Sequence, residues 1–222
     1  MERPRDHCIR CGECCLRSSP SLQITDAPLV YEGVIKRSDL YSVRVGELVC
    51  DNIRDELKVT DTELIKVREK GSGEGCVFYD DAEKACTIYG HRPAQCKALA
   101  CWDESEFMRV YAKPKAGRKE IIHDHTLFRL IDEHEKRCAY AQLDKCVKKI
   151  ESDGEKAVEN ILQILKFDHD IRCLIPEKLG VDSDEIDLIL GRSLTKTIAM
   201  FGLKVVRKPD GSFFLTVLDS SS

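Results

Sequence analysis

Residues 6–15, DHCIRCGECC, place four cysteines within ten positions, the last two adjacent. The two-residue gaps between Cys8, Cys11 and Cys14 let a chain curl so that successive sulfurs converge on one centre. Gly12 lies inside that curl and permits a tight turn with N–H groups facing the sulfurs. Adjacent side chains project in divergent directions, so Cys15 is expected to face a second metal centre, or a second iron of one cluster, rather than the ion held by Cys14.

The rest of the chain says which chemistry can use so many thiols. There are twelve cysteines in 222 residues, and eight of them fall in the first half, at Cys8, Cys11, Cys14, Cys15, Cys76, Cys86, Cys96 and Cys101. The start, MERPRDHCIRC, lacks the apolar segment of a secretory signal, so a cytoplasmic location is expected, where thiols stay reduced. Reduced cysteines at short spacings point to metal rather than to a disulfide frame. A net charge of -4 gives no field for nucleic acid, and no apolar run reaches the length of a membrane span. A protein partner is the expected kind of partner.

Hydrophobic content of 42% and charged content of 33% describe an ordinary globular chain with enough length for a real core. The spacing predicts a helix near 26–37, a strand in ELIKVRE (63–69), a flexible turn in GSGEGC and a short strand in CVFYDD. A helix follows in RPAQCKALACW, with Pro93 at its start and Cys96 in its first turn, where free N–H groups favour a thiolate. Cys101, five residues on, lies about 140° further round unless that helix breaks. Residues 127–150 and 155–170 carry helical periodicity, with Ala157, Val158, Ile161, Leu162 and Leu165 in one stripe and Pro176 closing the region. Asp182 and Ser183 cap a further helix that ends near Gly202, and Pro209-Asp210-Gly211 turns a closing hairpin.

The fold class is therefore α+β: a small irregular cysteine-rich metal-binding lobe, then a mainly helical lobe ending in a β-hairpin. The domains are expected at 1–125, cysteine-cluster and metal-binding, and 126–222, helical with the hairpin and a possible docking role.

The text CIRCGEC resembles the three-cysteine run of bacterial-type ferredoxins, in which a remote fourth cysteine completes one cubane. Zinc sites more often use two separated pairs of cysteines. The triplet thus favours an iron–sulfur cluster, of the 4Fe–4S type, with zinc as the alternative cofactor. The eight cysteines form two centres, or one cluster with additional ligands, and the sequence leaves their pairing open. The combination of CxxCGxCC, GCVFYDDAEKACTIYGHRPAQC and a closing CW further resembles the YkgJ-type cysteine-cluster family, whose domain is described as zinc- or iron-chelating. The resemblance covers residues 7–102. It implies metal ligands at Cys8, Cys11, Cys14, Cys15, Cys76, Cys86 and Cys96, with Cys101 at the family's variable end, and it matches Arg92-Pro93 before a cysteine. It implies no single reaction. One relative, the flagellin lysine methylase, transfers methyl groups from S-adenosylmethionine, but this chain has no glycine-rich nucleotide-binding turn to carry that activity.

Other candidates are weaker. Cys138 and Cys173 lie near apolar stripes and are expected to pack, while Cys50 and Cys146 lie apart from the motifs. His123-Asp124-His125 can place two imidazoles on one face of a strand, but a solvated edge is the expected reading. His7 and His91 beside the cysteines suit hydrogen bonds to sulfur, and Arg10 and Lys97 suit either charge balance or exposed surface. The leading functional expectation is an iron–sulfur protein in electron transfer or metal-dependent maturation. A zinc-stabilised binding module is the alternative, and whether the chain is an enzyme, a methyltransferase or a cluster-dependent redox enzyme, stays open.

Overall fold

A computed structural model describes residues 8–51, 53–71, 75–208 and 211–218. The chain opens with α1 (Glu13–Arg17) and α2 (Ala27–Tyr31), then four short strands: β1 (Leu40–Val43), β2 (Leu48–Asp51), β3 (Glu56–Val59) and β4 (Leu64–Val67). The two-residue strands β5 (Tyr79–Asp80) and β6 (Ala85–Cys86) precede helices α3 (Ala94–Ala98), α4 (Ser105–Tyr111) and α5 (Arg118–Ile121). Four helices follow, α6 (His125–Cys138), α7 (Tyr140–Lys148), α8 (Ile150–Asp153) and α9 (Glu155–Leu179). Last come α10 (Ile186–Leu190), α11 (Leu194–Thr197) and the hairpin β7 (Leu203–Arg207) with β8 (Phe213–Val217). The architecture is α+β. Its described strands pair only in twos: β1 with β4, β2 with β3, β5 with β6 and β7 with β8. No described helix is long and apolar enough to cross a membrane.

The chain divides into two compact units. The first takes the described residues through Ser42 together with Glu63–His123; the second takes Val43–Thr62 and the residues from Asp124 onward. In the first, β4 is the organising strand. Leu22 donates its N–H to the Ile65 carbonyl at 2.9 Å, and Ile65 in turn donates to Ala116 at 2.9 Å, so three separate segments meet around Leu22, Ile65 and Ala116, all fully buried. The predicted helix near 26–37 is shorter than expected. It ends at Tyr31, and Gly33 at φ +73° turns the chain so that Ile35 enters the core.

In the second unit a continuous apolar core joins Tyr140, Leu143, Ile161, Leu165, Leu194 and Ile198. Of the stripe on α9, Ala157, Ile161 and Leu165 are buried, while Val158 and Leu162 lie at its margin. Pro176 does not close that helix, which runs on to Leu179 and ends at Gly180 in the left-handed conformation, φ +64°. The single helix expected up to Gly202 is broken as well. Gly191, at φ +75°, interrupts it, Arg172 binds the Gly191 carbonyl at 2.6 Å, and the Asp168 carboxylate accepts the N–H of Leu194 where α11 begins, at 3.0 Å. Long-range side chains hold that break. The hairpin pairs Leu203 with Val217 and Arg207 with Phe213; the expected turn residues Pro209 and Asp210 and the tail beyond Leu218 lie outside the described residues.

Polar groups are buried in this unit too, each with a partner of opposite character. Arg44, fully buried, donates from Nε and Nη2 to Glu135 at 2.8 and 2.9 Å and from Nη2 to the Cys138 carbonyl at 2.7 Å. His134 and Asp168, both with no exposed side-chain surface, meet at 2.7 Å, and Arg172 reaches the same carboxylate at 3.0 Å.

Candidate metal centre

The opening cysteine loop is built on two left-handed residues. Arg10 adopts φ +59° and donates its backbone N–H to Cys8 Sγ at 3.4 Å, and Gly12 at φ +81° caps α1, the short helix that carries Cys14 and Cys15. The second cysteine stretch is joined directly to it. The Cys76 N–H donates to the Cys15 carbonyl at 2.8 Å. Gly75, at φ +89°, permits that approach, because a Cβ there would lie 2.8 Å from Leu16 Cα and 2.9 Å from the Cys15 oxygen. In the β5–β6 pair Tyr79 stands opposite Cys86. Helix α3, which carries Cys96, is pinned at its start: Ala94 donates to Asp26 Oδ1 at 2.9 Å, and Gln95 Oε1 accepts the Ser21 N–H at 3.0 Å.

The thiols so gathered act on one another. A hydrogen bond from Cys15, helped by backbone N–H groups and by the Arg92 guanidinium, pulls Cys14 down to about 6 against its burial. Cys15 is correspondingly pushed up, by that hydrogen bond, by burial and by the charges of Cys14, Cys96 and Cys86. Burial raises Cys76, with Cys86 and Glu69 adding to it, and burial together with Cys76 and Cys86 pushes Cys96 up to about 12. Loss of water and neighbouring sulfur thus push Cys96 up, against the favour that a place in the first turn of a five-residue helix gives a thiolate. Cys14 and Cys15 are neighbours on α1, where adjacent positions project about 100° apart.

Cys14, Cys15, Cys76, Cys86 and Cys96 are thus the part of the eight-cysteine set whose fields are coupled. Cys8, Cys11 and Cys101 are exposed, the first two on the loop into α1 and the third on the turn after α3, which ends at Ala98. Among the described residues no three Cys, His, Asp or Glu side chains are gathered tightly enough to close around one ion. The donor set nonetheless fits a thiophilic metal. Several soft sulfurs raise one another's pKa through shared negative charge, and a bound cation reverses that penalty.

Arg10 and Arg92 flank the Tyr89 ring, with guanidinium carbons 5.4 and 3.8 Å from its centroid. Arg10, Lys97 and His91 are exposed, and His7 lies outside the described residues. The His123-Asp124-His125 run is spent locally: His123 Nε2 pairs with the Tyr31 hydroxyl at 2.6 Å, and Asp124 caps α6. Cys138 is fully buried as expected, but Cys173 is exposed, with its sulfur 3.9 Å from His169 Nε2. Asp26, Gln95 and Tyr79 position the site without a sequence signal of their own. Gly75, directly before Cys76, carried one.

Two distant cysteine stretches tied by main chain, with mutually repelling thiols, define a thiolate metal-chelating domain as the class. Residues 7–115 match the model of a family described as "CxxCxxCC: Putative zinc- or iron-chelating domain". That match covers the cysteine-rich part of the chain, just under half of its length. No curated protein and no solved structure matches the chain significantly.

Proposed function

We propose that the coupled thiols, with Cys8 and Cys11 of the same loop, hold an iron–sulfur cluster of the 4Fe–4S type, and that the protein serves electron transfer or metal-dependent maturation in the cytoplasm. The observation that carries this reading is the hydrogen bond from Cys76 to the Cys15 carbonyl, which seats the ferredoxin-like triplet against the later cysteines. A bound cluster supplies one-electron redox chemistry. The chain's own residues do the rest. Backbone N–H groups face sulfur at Cys8 and Cys14, which lowers the energy of thiolate charge. Arg10 and Arg92, held on the Tyr89 ring, offset the negative charge of a multi-thiolate site. Burial of Cys76 and Cys96 keeps water from those sulfurs. In this role the helical unit docks the protein partner.

Protein purified without oxygen is expected to be brown, with iron and acid-labile sulfide in equal amounts and a broad absorption band in the visible. Colourless protein with stoichiometric zinc overturns the cluster and leaves a zinc-stabilised binding module. Tight calorimetric binding of S-adenosylmethionine identifies a methyltransferase instead.

A further inference from the structure

The Tyr79 side chain is 6% exposed, and its hydroxyl end meets the opening cysteine loop. A Cβ built on Gly12 would lie 2.2 Å from the Tyr79 hydroxyl oxygen and 2.7 Å from Cζ, so the phenol fills the space that any side chain at position 12 would need. Gly12 thus serves two ends: it adopts φ +81°, and it leaves room for the phenol inside the CxxCGxCC turn. The charges of Asp81, Cys15 and Cys11 act on the phenol, and strand pairing sets Tyr79 opposite Cys86. Its own N–H donates to the Cys76 carbonyl at 3.0 Å, which fixes the backbone of the residue to the second cysteine stretch.

We propose that Tyr79 is a positioning residue of the metal centre, its hydroxyl donating a hydrogen bond to a metal-bound thiolate of the Gly12 loop. The inference rests on the metal-binding reading above but not on the choice between iron and zinc. A thiolate is a good acceptor and the only strong one that this loop offers in number. A hydrogen bond to it withdraws electron density from sulfur, weakens its donation to the metal and raises the energy of sulfur-to-metal charge transfer. The side chain touches the ligands, not the metal.

The test uses the full chain, reduced and stripped of metal, titrated with cobalt(II) alone. Tyr79→Phe removes one oxygen and keeps the ring. The expected result is unchanged cobalt stoichiometry, with the thiolate-to-cobalt band moved to longer wavelength than in the wild type. A merely structural role would change the amount bound and leave the band in place. Superimposable bands overturn the proposal, whereas a wild-type protein without any thiolate-to-cobalt band overturns the metal reading and this inference with it. A second measurement needs no variant: in wild-type protein loaded with cadmium-113, the Tyr79 hydroxyl proton is expected to exchange slowly and to couple to the cadmium nucleus. A freely exchanging hydroxyl overturns the hydrogen bond even if Tyr79→Phe fails to fold.

Discussion

In the helical unit the fully buried Arg44 lies against Glu135, and Asp168 receives His134, Arg172 and the Leu194 N–H. In the cysteine unit the groups brought together are thiols of one kind: burial and the charge of Cys86 raise Cys76, and burial with the charges of Cys76 and Cys86 raises Cys96. The first arrangement sets opposite charges against one another within the chain, although Arg44 Nη1 and His134 Nδ1 have no hydrogen-bond partner among the described residues. The second gathers groups of one sign, which Arg92 offsets only in part and a bound cation would compensate. The difference also shows in the packing. The helical unit has a continuous apolar core, whereas the segments carrying the cysteines are pinned by single contacts such as Ala94 to Asp26 and Cys76 to Cys15. Burial by itself does not say whether a polar group is structural; the sign of its neighbours does.

The largest effect should come from metal removal. A strong chelator under reducing conditions is expected to abolish hydrogen-exchange protection around 12–17 and 75–98 while peptides from α9 keep theirs; uniform loss across both units would erase the contrast. Cys14→Ser should lower metal content and loosen the same segments. Cys138→Ser should leave metal content unchanged, because Cys138 belongs to the helical core. Equal metal in both variants would show the coupled thiols to be no ligand set.

Next comes Asp168→Ala, which strands His134 and Arg172 in the interior. It should destabilise the helical unit by about 3–5 kcal/mol, read by denaturant unfolding, with metal content intact.

Acid should act on the same network more gently. Burial, with the Arg44 charge adding to it, holds folded His134 below 6.5, although Asp168 and Glu135 pull the other way. The unfolded chain then binds that proton at higher pH than the folded one, so this contribution is full above 6.5 and shrinks as pH falls through the window beneath it. Asp168 works in the same direction lower down. Burial raises it, but the His134 hydrogen bond and Arg172 outweigh that and hold it below 3.8, so its contribution is lost as pH falls past that value. His134→Gln should flatten the upper part of the pH–stability curve, and a slope unchanged by that substitution would remove His134 from the account.

The smallest effect is expected from Asp124→Ala. It deletes two cap bonds to the N–H groups of Thr126 and Leu127, at 2.7 and 2.9 Å, and should cost about 1 kcal/mol in thermal unfolding without touching the cysteines.

Much of the cysteine loop was legible because its signals are local. Cys-x2-Cys-x2-Cys-Cys with Gly12 gives the turn, and the predicted strand in ELIKVRE and the closing hairpin appear where periodicity and turn residues place them. Asp26 and Gln95 were not legible, since their work is to bind backbone N–H groups 68 and 74 residues away. The break at Gly191 escaped notice for the same reason. A lone glycine in a helical pattern is ambiguous until Arg172 and Asp168 arrive to hold the groups it frees.

By itself the sequence determined the chemistry of this protein: which donors it has, how closely they can follow one another, and that a reduced cluster of them calls for a metal. Spacing and residue type suffice for that, because a sulfur's softness and a two-residue gap are local properties. The tertiary structure alone decided that Cys76 is tied to the Cys15 backbone, and that a tyrosine fills the space left by Gly12. Those outcomes depend on contacts between segments far apart in the chain, and their energies exist only once the segments have met.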